Sequence, residues 1–200
     1  MRILIIGANG TIGKPVTNYF STNHEVITAG RSSGDITIDI AETDSIKKGL
    51  QQVGLLDAII CIAGEAKWAG FNELSEEDYY IGLRSKLMGQ VNLVRIGQSY
   101  LNEHGSITLS TGILADDPVL KTASAAMVNG GIHSFVQAVA LEMKKGIRIN
   151  AVSLGMVEDA YEKYKEYFPG HNPVSTSKMI NAYVRSVLGK RSGEIIRIYE

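Results

Sequence analysis

Three glycines spaced three apart, in Gly7-Ala8-Asn9-Gly10-Thr11-Ile12-Gly13, follow the apolar run 3–6 and lead into a helical pattern over 11–21. In that strand–turn–helix setting, such a turn can hold a diphosphate. Gly7 takes the tight bend, Gly10 lets backbone approach the phosphates, and Gly13 lets the helix pack closely. The amides along Asn9, Thr11 and Ile12, with the positive end of the helix dipole, would face the anion. The plainer alternative is a tight turn with no ligand. The next apolar run, 26–29, ends in Gly30-Arg31-Ser32-Ser33. A site for NAD would place a carboxylate there for the ribose 2′-hydroxyl. Arg31 instead offers a forked cation to a 2′-phosphate, and Ser32 can add a hydrogen bond, so NADP(H) is expected over NAD(H). Asp39-Ile40, ending the third run, would border the adenine.

Other reactive side chains give weaker signals. Tyr161-Glu162-Lys163-Tyr164-Lys165 contains a tyrosine and a lysine four apart, but within an amphipathic segment, 158–168, that reads as a surface lid. A lid tyrosine, Tyr161 or Tyr164, could swing over the site when that segment closes. Asp159 reads either as an amide acceptor or as the lid's N-cap. His24, His104, His133 and His171 show no metal spacing, and the lone Cys61 can form neither an internal disulfide nor a cysteine zinc site, so no metal is expected.

The elements that must position these residues follow from hydrophobic periodicity. Short β-branched runs at 3–6, 25–29, 36–39, 58–62, 106–109, 148–152 and 195–198 alternate with helical patterns at 11–21, 44–52, 76–102, 123–144 and 175–188. Several runs are apolar on both faces, as strands covered on both sides must be. The alternation predicts one domain over 1–200: a three-layer α/β fold with a doubly wound parallel sheet of about seven strands. With 44% hydrophobic and 20% charged residues, a disordered or fibrous chain is excluded. A net charge of −1 gives no bulk attraction to nucleic acid or to an anionic membrane. No apolar run reaches the ~18 residues a membrane span needs. The start shows no cleavable leader pattern, so a cytoplasmic protein acting on a small molecule is the expectation.

The ordered set Gly7–Gly13, Asp39-Ile40, Ile60–Gly64, Ser110-Thr111-Gly112, Ala140-Leu141-Glu142 and Gly146–Gly155 resembles the short-chain dehydrogenase/reductase family, with the likeness running from Met1 to Glu200. The resemblance implies a Rossmann sheet in strand order 3-2-1-4-5-6-7. It places Ala63, Gly64, Gly155 and Val157 against the cofactor, and it implies a homodimer or homotetramer. The family's chemistry uses a tyrosine as general acid/base and a lysine one helical turn later. Counting back from Ala140-Leu141-Glu142, those positions fall on Ala125 and Asn129. The family's serine falls on Thr111, or on Ser110 with a one-residue shift, and its relay asparagine falls on Lys86. Alanine moves no proton, and Asn129, uncharged at every pH, can only hydrogen-bond a ribose hydroxyl. Two expectations follow. One is an atypical NADP(H)-dependent oxidoreductase of a small carbonyl or alcohol, using Thr111 or Ser110 to polarise the carbonyl and Lys86 or water as proton source. The other is a catalytically silent NADP(H)-binding sensor or scaffold. A purely structural oligomerising domain is the third possibility.

Overall fold

The computed structural model describes residues 1–200. Seven parallel strands form one sheet in the order β3-β2-β1-β4-β5-β6-β7: β1 Arg2–Ile6, β2 Glu25–Gly30, β3 Ile36–Thr37, β4 Leu56–Cys61, β5 Leu101–Gly112, β6 Arg148–Leu154 and β7 Ile195–Ile198. The expected architecture and strand order are therefore found. The period-two alternation of strand side chains divides the core. Leu4, Ile6, Ile59 and Cys61 face a layer made by α2 (Thr43–Val53), α4 (Gly89–Gly97) and α5 (Ala123–Val139). Ile3, Ile5, Ala58 and Ile60 face α1 (Gly13–Ser21) and α7 (Thr176–Leu188). No helix is long and apolar enough to cross a membrane.

Several boundaries depart from the periodicity. The helical pattern 76–102 is not one helix. It comprises α3 (Glu76–Gly82), a π-helical stretch Leu83–Met88, α4 and a 3₁₀ turn Gln98–Tyr100, and β5 already begins at Leu101. The glycines let this broken rod hug the sheet: a Cβ on Gly89 would stand 2.9 Å from the Ile40 carbonyl oxygen, and one on Gly97 2.9 Å from Ile59 Cδ1. α5 stops at Val139 rather than 144: the Leu141 and Glu142 amides donate only three residues back, and Lys145 and Gly146 then take positive φ (56° and 67°) to turn the chain into β6. α1 begins at Gly13 rather than 11, since residues 10–12 form the turn, with the Lys14 amide donating to the Gly10 carbonyl. Pro15, in its first turn, has no N–H to waste there. β3 ends at Thr37 rather than 39. The Asp39 amide donates to Ser45 Oγ, and its carboxylate accepts from the Ala41 amide, which turns the chain out of the sheet.

Candidate functional site

The carboxyl ends of β1, β2, β4 and β5 meet at the switch point of the sheet, where the order reverses from β1–β2 to β1–β4. Open α/β sheets bind ligands in that crevice. At its centre is the glycine turn. Gly7 has φ +87°, and a Cβ there would stand 2.9 Å from the Ile62 carbonyl carbon. Gly13 closes on the turn itself rather than on the strand: its Cβ would lie 2.1 Å from the Gly7 carbonyl oxygen. A Cβ on Gly10 would meet that same oxygen at an ordinary 3.4 Å, so the protein itself does not demand glycine at this position. The Asn9, Thr11, Ile12 and Gly13 amides take no backbone acceptor, and Ile12, at the N-cap of α1, supplies no capping side chain. That leaves a row of free donors at a helix N-terminus, which suits an anion.

On one side of the turn, a cavity of about 250 Å³ lies among Arg31, Asp39, Ile40, Ala63 and Gly64. Arg31 Nη1 reaches Glu65 Oε1 at 3.3 Å across its mouth, and both side chains are more than half exposed. Ser32 is exposed, and its neighbour Ser33 is the serine tied to the turn, its Oγ accepting from Asn9 Nδ2 at 3.0 Å. Arg31, Asp39, Ile40, Ala63 and Gly64 thus line one cavity together with Glu65, while Ser32 does not line it.

On the other side, a cavity of about 200 Å³ brings together Gly64, Lys86, Thr111, Ala125 and Asn129, walled by Trp68 and Leu114. Gly64, at φ +123°, lets the loop after β4 press on the π-helical stretch: a Cβ would stand 2.9 Å from Lys86 Cα. The Lys86 ammonium has no ion-pair or hydrogen-bond partner, and burial holds its pKa below the usual lysine value. The nearby Cys61 thiol is pushed up to about 11 by burial, which makes it a poor nucleophile. Asn129 is 4% exposed, and its Oδ1 has no donor. Thr111 Oγ1 lies 2.8 Å from His133 Nε2. Ala125 presents only a methyl group.

Ser110 is not in this site. Alternation along β5 sends it to the opposite face, where its Oγ pairs with Tyr183 Oη of α7 at 2.8 Å. The Tyr183 hydroxyl is buried and has no other partner. Ser110→Ala is therefore expected to cost about 1–3 kcal/mol in denaturant unfolding by orphaning it. Gly155 and Val157 also lie outside both cavities. Gly155 packs against the Tyr199 backbone, and Val157 is buried in the α1/α7 layer, bridged to Val174. Asp159 caps nothing, since Val157 holds the N-cap position of its 3₁₀ turn.

The segment after β6 carries the short helix α6 (Tyr161–Tyr164) and folds over the site. Its Lys165 is bound to Glu162 Oε2 at 2.6 Å, so the tyrosine–lysine spacing there makes a local ion pair. Tyr164 and Tyr167 pack on Trp68 at centroid distances of 5.6 and 6.1 Å. Trp68 and His133 are the site residues that periodicity did not single out. A signal for His133 existed: it lies four residues after Asn129 and eight after Ala125, on one helical face.

A family profile described as enoyl-(acyl carrier protein) reductase matches residues 17–186. The solved structure of the protein lin1944 from Listeria innocua is 46% identical, with all of both chains covered and a TM-score of 0.97. A small-chain dehydrogenase solved in complex with NADPH shares the fold, with a TM-score of 0.87 at 24% identity over 99% of this chain and 96% of that one. An uncharacterized oxidoreductase of Methylorubrum extorquens is 25% identical over 71% of this chain, which spans 62% of that relative's length.

Proposed function

Since the chain belongs to the short-chain dehydrogenase/reductase family, we propose that it binds NADP(H) across the switch point and transfers a hydride to or from a small carbonyl or alcohol. The observation that carries the reading is the convergence of Lys86, Thr111 and Asn129 on one cavity beside the glycine turn. The residues fit the cofactor. The free amides of the turn suit its diphosphate, and the unpartnered Asn129 Oδ1 suits a donor such as a ribose hydroxyl. The bound nicotinamide would supply the hydride chemistry. Thr111 would donate a hydrogen bond to the substrate oxygen, and Lys86 would hold the one proton that the oxygen finally takes. Trp68 and the lid tyrosines would keep water out.

Arg31 supports the preference for NADP(H). Its pair with Glu65 is exposed and contributes little, so a 2′-phosphate would displace the carboxylate. Ala125 favours a second reading, a silent NADP(H)-binding sensor, because a methyl group replaces the proton donor. Apolar exposure at Ile81, Met88 and Met127 fits the implied homo-oligomer.

Titration with NADPH and NADH, followed by nicotinamide fluorescence, separates the readings. NADPH is expected to bind about tenfold tighter or better, and Arg31→Ala to remove most of that margin. Turnover on a panel of small carbonyls should fall roughly 10²-fold in Thr111→Ala. Binding without turnover would select the sensor. A chain that binds neither nucleotide would sink both.

A further inference from the structure

We infer that His133 is a positioning residue that sets which way the Thr111 hydroxyl points: with its proton on Nε2 it donates to Thr111 Oγ1, and the Thr111 O–H is left free for a ligand oxygen in the cavity. The inference rests on the reading that Thr111 faces the substrate.

Thr111 has one proton and two protein acceptors within reach. His133 Nε2 lies at 2.8 Å and the Val152 carbonyl oxygen at 3.4 Å. If His133 carries its proton on Nδ1, Thr111 must donate to Nε2. Its only proton is then used inside the protein, and Thr111 offers a ligand an acceptor alone. If the proton is on Nε2, the direction reverses. His133 donates, and Thr111 keeps a proton whose sole protein acceptor is the distant Val152 carbonyl. A 3.4 Å contact is weak enough to be exchanged for a ligand oxygen at little cost.

Counting bonds selects the second arrangement. With the proton on Nε2, two hydrogen bonds form, His133 to Thr111 and Thr111 to Val152. With the proton on Nδ1, only one forms within the protein, Thr111 to His133. The arrangement with more bonds inside the protein is favoured. The fold keeps the ring neutral, since burial lowers its pKa. The nearest charges, Asp116 after β5 and Arg197 on β7, are paired with each other at 2.8 Å. A neutral ring has a tautomer to choose, and the choice decides whether Thr111 is a donor or an acceptor. The sequence makes this device necessary. With Ala125 at the position of the usual proton donor, Thr111 is the one hydroxyl lining the cavity.

Long-range ¹H–¹⁵N spectra of the imidazoles in the protein without nucleotide report the tautomer directly. The expected result is an Nε2-protonated His133, assigned by its loss in His133→Gln. A second readout uses the NADPH-loaded protein on whichever carbonyl of the panel turns over. His133→Gln, whose amide nitrogen can donate from the place of Nε2, should keep turnover within a few-fold, while His133→Leu should lose at least tenfold in kcat/KM. An Nδ1-protonated ring would overturn the inference, as would equal turnover by the Gln and Leu variants. Failure of NADPH to bind would instead remove the proposed function and leave the tautomer result standing.

Discussion

Gly13→Ala is expected to abolish NADPH binding and to destabilise the fold by about 1–3 kcal/mol or more. The added Cβ would sit 2.1 Å from the Gly7 carbonyl oxygen and 2.8 Å from the Ala8 carbonyl carbon and oxygen. These are backbone atoms, so no rotamer can relieve the clash. Either the turn opens or α1 moves away from it, and both scatter the free amides of residues 9, 11, 12 and 13. Gly7 cannot shift to make room, because on its other side it abuts the Ile62–Ala63 backbone at the tip of β4. Gly10→Ala supplies the contrast. Its Cβ clears the nearest protein atom at 3.4 Å, so stability should change by less than about 0.5 kcal/mol, while a diphosphate lying on that turn would still meet the new methyl. Thermal melting and fluorescence titration of the two variants separate the effects. Wild-type NADPH affinity in both would place the nucleotide away from this turn.

That contrast shows what a sequence does and does not reveal. Three glycines in a βα setting pointed to the turn, but only coordinates show that Gly13 serves the turn's own closure while Gly10 has room for a Cβ. The sheet order was implied by resemblance, and the strands themselves by apolar runs. The failures came where the pattern stayed apolar while the backbone changed course. The 76–102 stripe continues through a π-helical stretch, and hydrophobicity does not register an i→i+5 turn. Yet that stretch carries Lys86 and belongs to the wall of the site. Choosing between Ser110 and Thr111 was a one-residue ambiguity, which along a strand means the opposite face. Alignment by spacing could not resolve it, whereas the packing of Ser110 on Tyr183 does. His133 is one histidine of four in the sequence, and a lone imidazole on an apolar helix face is usually core. What distinguishes it is a contact across 22 residues of sequence.

Lys86→Met is expected to melt higher than the wild type and to turn over far more slowly. The ammonium sits against the cavity wall with no carboxylate near it, and its pKa is lowered by the loss of water alone. A lysine with a lowered folded-state value binds fewer protons when folded than when unfolded, between that value and about 10.4. The wild type should therefore gain stability as pH rises through this window and carry the full penalty below it. Methionine fills a similar volume with no charge to desolvate, so at pH 7 the variant should be about 0.5–2 kcal/mol more stable. For a chain of this size that is a rise of about 2–4 °C per kcal/mol. Its stability should also lack the lysine's alkaline rise, which melts at pH 7, 8.5 and 10 would reveal. Turnover should fall by about 10²–10⁴, the usual worth of a positioned acid or base. The opposing signs are the argument: a group that weakens the fold and sustains the reaction is kept for the reaction. A variant that melts lower would mean Lys86 has a counter-charge after all. One that melts higher with turnover unchanged would leave the proton to water.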